Sequence, residues 1–114
     1  MREPRGELLQ GTLPLLILRT LATGPNHGFA IARRIQQISQ AVLKVEQGSL
    51  YPALHRMEVD GLIDAYWDTT ENNRRAKFYT LTPAGRKRLK DELANWNSVV
   101  EGMALALCAK VNAI

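Results

Sequence analysis

The side chains most able to do chemistry in this chain are its cations. Between Asn72 and Lys90 stand seven of them, Arg74, Arg75, Lys77, Arg86, Lys87, Arg88 and Lys90, with no carboxylate in between. A one-sided stretch of this kind suits a polyanion, because each phosphate neutralised by Lys or Arg releases condensed counterions. Charge alone reads equally well as a solvated basic face. Reactive chemistry has little to draw on. His27, His55 and the single Cys108 are far apart and offer no zinc spacing. No Ser-His-Asp set, no pair of carboxylates in a plausible cleft and no phosphate-cradling glycine loop is present, so no enzyme, cofactor or metal is expected.

The elements that must position these cations can be read in order. The 114 residues, 46% hydrophobic with a net charge of +4, suffice for one folded unit with a real core. A lone cysteine makes no internal disulfide, no signal peptide is apparent, and the longest apolar run, Leu13 to Leu18, is too short to span a bilayer. A cytoplasmic location is the expectation. Met1 to Gly6 reads as a mobile arm. Leu8 to Leu21 is apolar around most of its circumference, as a central buried helix would be. Pro14 fits that helix in its first turn, with Thr12 as the cap and the helix proper starting at Leu13.

After the break at Gly24-Pro25-Asn26, a second helix is expected from about His27, which orders its start, to Ile38. Ile31, Ile35 and Ile38 would lie on its buried side and Arg33, Arg34, Gln36 and Gln37 outside. A third helix begins near Gln47 to Ser49, with Pro52 in its first turn or so. Leu50, Leu54 and Met57 share its inner face, and Gly61 ends it in a left-handed conformation. The period then changes to two. Ile63, Ala65 and Trp67 alternate with Asp64, Tyr66 and Asp68, and Tyr79 and Leu81 alternate with Phe78 and Thr80. Thr69 to Ala76 joins these two strands as a polar, basic loop.

Thr82 and Pro83 open the last helix as N-cap and first helical residue. Along it Leu89, Leu93, Trp96, Val100, Met103 and Leu107 recur at alternating steps of four and three residues, a seam of period about 3.5 that seeks a partner helix. At roughly 28 residues and about 42 Å, the helix is longer than so small a domain can cover. It reads as a dimerisation helix, with Trp96 also able to stack on a planar guest.

Three helices, a two-stranded hairpin with a basic tip and a basic balance together describe a winged helix-turn-helix: mainly α, with a small β hairpin and a long C-terminal helix. Residues 1–82 would form the DNA-binding domain and residues 83–114 the dimerisation helix of the same compact unit. In that arrangement the third helix enters the major groove. Ser49, Tyr51, Pro52, His55 and Arg56 are its candidate DNA-facing residues, while Arg74, Arg75 and Lys77 carry the wing to the backbone or minor groove.

The residues also resemble a known family. His27-Gly28-Phe29-Ala30-Ile31, Gly48-Ser49-Leu50-Tyr51-Pro52-Ala53-Leu54 and Gly61-Leu62-Ile63, followed by Asn73-Arg74-Arg75-Ala76-Lys77-Phe78-Tyr79-Thr80-Leu81-Thr82 and Gly85, look like the PadR-type transcriptional regulators from about Leu8 to Trp96. Gly-Ser-Leu-Tyr-Pro is the most specific element. The resemblance implies a homodimeric repressor of a nearby operon that binds near-palindromic promoter DNA. The single C-terminal helix is similar to that of the smaller subgroup, in which some relatives release DNA on binding aromatic or drug-like compounds at the dimer interface. Pro14 and Asn73 depart from the family pattern, Asn73 standing where a glycine is often found before the wing arginines. The alternative reading is a dimeric small-molecule sensor or protein-interaction module with weak DNA binding.

Overall fold

In a computed structural model the chain is described over residues 5–108, and its side chains from Thr12 onward. Residues 1–4 of the expected arm therefore lie outside the described residues, as do the side chains of Leu8 and Leu9. The element order is α1 (Arg5–Leu21), β1 (Asn26–His27), α2 (Gly28–Ile38), α3 (Gln47–Val59), β2 (Ile63–Thr69), β3 (Arg75–Leu81) and α4 (Pro83–Cys108). This is the winged helix anticipated from the sequence.

The core explains the arrangement. Leu13, Ile17, Leu18 and Leu21 of α1 meet Ile31 and Ile35 of α2, Leu50, Leu54 and Met57 of α3, and Leu62, Ile63, Tyr79 and Leu81 of the sheet region, all buried. Each fully buried Leu or Ile contributes about 1.5–3 kcal/mol over its exposed state. The buried Thr20 hydroxyl donates to the Leu16 carbonyl at 2.9 Å, so the central helix carries no orphaned polar group there.

Several details differ from expectation. Helix α1 already includes Arg5 and Gly6 and runs straight through Thr12 and Pro14, so Thr12 is no cap and Pro14 lies inside the helix. Proline in an interior costs about 3 kcal/mol, and here that cost is met by the apolar face that α1 buries on every neighbour. Ile38 is 55% exposed rather than buried. It is the last residue of α2, and Gln40 and Ala41 at positive φ (54° and 65°) turn the chain away before anything can cover it. Helix α3 starts at Gln47, which puts Pro52 early in its second turn, on the exposed side.

The ends of α3 and α4 interlock. The Gly61 N–H donates to the Glu58 carbonyl and the Leu62 N–H to the Met57 carbonyl, both at 3.0 Å, with Gly61 at φ +78°. This is the left-handed stop that only glycine makes without strain. Thr82 then caps α4: its hydroxyl accepts from the Gly85 N–H at 3.0 Å and donates to the Gly61 carbonyl at 2.7 Å.

The sheet has three strands in the order β1-β3-β2, one more than anticipated. The short addition pairs Asn26 with Tyr79 and His27 with Phe78. His27 still orders the helix start, accepting from the Ala30 N–H through Nδ1 at 3.4 Å. Strands β2 and β3 pair from Ile63↔Leu81 out to Thr69↔Arg75, so the connecting loop is only residues 70–74. The Thr70 N–H donates to the Arg74 carbonyl at 2.7 Å, and Asn73 takes φ +61°, a conformation that asparagine tolerates where glycine is absent.

Candidate nucleic-acid interface

The helical turn sorts the side chains of α3. Leu50, Leu54 and Met57 point inward, which leaves Pro52, His55 and Arg56 exposed on the opposite side. Ser49 is half-buried on the flank nearest α1 and α4. It borders an open cleft of about 570 Å³ shared with Leu13, Pro14, Arg56, Arg88 and Glu92. Arg88, from the basic cluster of α4, thus borders the same cleft as Arg56 of α3. Its neighbour Lys87 is instead paired with Asp91 at 3.0 Å, one helical turn on.

Tyr51 lies on the other flank, toward the sheet. Its ring covers Gly28 at the start of α2, where an added Cβ would come within 2.7 Å of Tyr51 Cε1. Tyr51 therefore serves packing as well as surface, and remains 43% exposed. The same flank carries Glu58, whose Oε1 lies 3.3 Å from Lys77 Nζ on β3. The Lys77 ammonium also sits 5.8 Å from the centre of the Tyr79 ring. Burial holds the Tyr79 phenol above its ordinary value of 10.0; Lys77 opposes that shift, and Glu58 and Tyr51 add to it.

The wing cations are thus unequal. Lys77 is engaged with Glu58, whereas Arg75 lies with its guanidinium carbon 5.4 Å from the centre of the exposed Trp67 ring. Arg74 is exposed in the tip loop. Because Trp67 pairs with Lys77 and Thr69 with Arg75, all four project from the face of the hairpin that turns toward α3. The opposite face carries a row of rings, with His27 edge-on to Phe78 at 5.3 Å and Tyr66 stacked on Phe78 at 5.8 Å. A second open cleft, of about 490 Å³, lies between α2 and the wing loop, bordered by Phe29, Arg33, Arg34, Thr70 and Glu71.

Away from this surface, the seam of α4 is bare. Leu89 is half-buried against the core, but exposure rises along the seam from 37% at Leu93 through 39% at Trp96, 45% at Val100 and 54% at Met103 to 65% at Leu107. Among the described residues no three His, Cys, Asp or Glu side chains gather as a metal site, and no helix is long and apolar enough to cross a membrane.

Sequence reasoning placed the outward residues of α3 and the wing arginines but assigned nothing to Glu58 or Trp67. Signals for both were present. Glu58 stands seven residues, two turns, after Tyr51 on the same flank, and Trp67 alternates onto the inner face with Ile63 and Ala65. Neither pattern identifies the partner on β3 without the register.

Comparison with known proteins gives a consistent picture. A family model, described as the transcriptional regulator PadR-like family, matches residues 17–91. A transcriptional regulator of Mycobacterium tuberculosis is 35% identical over 86 residues, covering 75% of this chain and 77% of that protein. The solved structure of a transcriptional regulator from Clostridium thermocellum is similar with a TM-score of 0.77 at 26% identity, over 85% of this chain and 94% of the other. Bacillus subtilis PadR, solved in complex with operator DNA, is similar with a TM-score of 0.63 at 26% identity, over 71% of this chain; the match spans 46% of that longer protein.

Proposed function

This chain belongs to the PadR-like transcriptional regulator family, and from that premise we propose that it is a homodimeric, sequence-specific DNA-binding repressor of a nearby operon, acting in the cytoplasm. The observation that carries the reading is the contact between the basic wing and α3. Lys77, on the inner face of the wing with Arg75, meets Glu58 on the flank of α3, so the wing stands beside the helix that carries the outward residues Pro52, His55 and Arg56. His55 and Arg56 would face base edges in the major groove, with Tyr51 and Pro52 shaping the approach and Ser49 at the helix start meeting a phosphate. Arg74 and Arg75 would reach the backbone or the adjacent minor groove.

Dimerisation through Leu89, Leu93, Trp96, Val100, Met103 and Leu107 is supported by the exposure of the outer seam, because isolated subunits seldom leave so long an apolar stripe in water. A planar aromatic effector stacked on Trp96 would release DNA only by binding the DNA-incompetent dimer more tightly.

The test is a fluorescence-anisotropy titration against the promoter of its own operon and a scrambled duplex, at roughly 50 and 200 mM salt. Tighter binding to the promoter at both salts is expected. Replacing Arg74 and Arg75 by Ala should weaken binding to both duplexes and flatten the salt dependence by up to about two phosphates' worth. Wild-type protein that binds neither duplex would overturn the reading in favour of a sensor or protein-interaction module.

A further inference from the structure

We propose that Trp67 is a positioning residue of the wing, holding the Arg75 guanidinium over its indole face so that this cation is presented to a DNA backbone phosphate. The inference rests on the DNA-binding reading above and adds to it a residue to which the motif reading assigned no role.

Three observations converge on it. Trp67 and Arg75 are diagonal neighbours across the hairpin, on the face turned toward α3, and the guanidinium carbon lies 5.4 Å from the ring centre. That is within the range at which a cation is held by an aromatic face, and diagonal pairs on one sheet face are within reach of long and aromatic side chains. Next, Trp67 is 58% exposed, so its ring face is open at the surface to a cation that must also reach a phosphate. Finally, the neighbouring inner-face cation is already committed, because Lys77 is paired with Glu58 at 3.3 Å. On this face Arg75 is the cation without a carboxylate partner among the described residues, and the indole restricts it without neutralising it. An arginine restricted in advance loses less side-chain freedom when it meets a phosphate, whereas a carboxylate partner would have to be given up first.

A double-mutant cycle tests this with a duplex of random sequence, because a phosphate contact needs no operator. Wild type, Trp67→Ala, Arg75→Ala and the double variant are titrated by anisotropy across a salt series starting near roughly 50 mM. Trp67→Ala is expected to weaken binding about two- to fivefold, the span of an exposed cation–π contact. In the Arg75→Ala background the same change is expected to cost nothing further. Trp67→Phe, which keeps an aromatic face, should recover most of the loss, and thermal melts report whether each variant is folded. An additive cycle, or a folded Trp67→Ala protein that binds as wild type does, overturns the proposal while leaving the DNA-binding reading intact. Wild-type protein that fails to bind the random duplex at low salt overturns both.

Discussion

Lys77 of β3 and Glu58 of α3 meet at 3.3 Å, an ion pair that links the hairpin to the helix beside it. Both side chains remain about one-third exposed, so solvent screens the pair and its worth to stability is at most about 1 kcal/mol. Its consequence is geometric. It joins the hairpin to the helix that would lie in the major groove.

Replacing Glu58 by Gln should therefore separate affinity from specificity. Thermal stability is expected to fall by no more than about 1 kcal/mol. Binding to random duplex should strengthen, since a negative charge leaves the interface and Lys77 is released toward phosphates. Binding to the promoter should gain less, because the wing no longer holds one angle, so the promoter-to-random affinity ratio drops. An unchanged ratio would show that the wing angle is set elsewhere.

Two glycines should respond to alanine in opposite ways. A Cβ at Gly85 collides with the Leu62 carbonyl oxygen and lies 3.2 Å from the side-chain Cδ2 of Leu81, so backbone at the helix start or at Leu62 must move. Gly85→Ala is expected to destabilise by about 1–3 kcal/mol or more in denaturant melts. The nearest atoms to a Cβ at Gly28 are those of the half-exposed Tyr51 ring, a side chain that can swing away. Gly28→Ala should melt within about 1 kcal/mol of wild type yet lose discrimination between promoter and scrambled DNA, as Tyr51→Ala should.

The exposed stripe of α4 makes a prediction about mass. Val100→Asp places a carboxylate in the middle of the seam, where burial against a partner helix would leave it unpaired. Light scattering should give a dimer for wild type and a monomer for the variant. The wild-type melting temperature should rise with protein concentration while that of the variant stays constant. A dimeric Val100→Asp protein would move the interface off this seam.

Tyr79 sets an alkaline limit. Its phenol is raised above 10.0, chiefly by burial, so the folded chain holds this proton more tightly than the unfolded chain does. The stability linked to it is fully present below the unfolded value and is lost as pH rises through the raised one. Between about pH 8 and about pH 11 the wild-type melting temperature should fall more than that of Tyr79→Phe, which has no such proton to lose. Parallel declines would show that other groups govern alkaline unfolding.

Much of this molecule was legible in the chain because its signals are local. The stop at Gly61, the cap at Thr82 and the inward spacing of Leu50, Leu54 and Met57 need only a few neighbouring residues to be read. Pro14 was misread for the same reason. Local chemistry places a proline in the first turn, but α1 is the helix on which the other elements pack, and that burial outweighs a missing hydrogen bond. The third strand was missed because two residues, Asn26 and His27, carry no periodicity; only β3 beside them makes them a strand.

The sequence by itself determined the winged helix, the basic wing and the apolar seam of α4, since hydrophobic period, turn residues and charge runs are properties of consecutive residues. It did not determine which wing cation would be committed and which presented. That was decided when antiparallel register put Arg75 within reach of Trp67 and when the packing of α3 brought Glu58 to Lys77. Those partners come from different elements, and a charge acquires its role from the atoms that face it across space rather than from its neighbours along the chain.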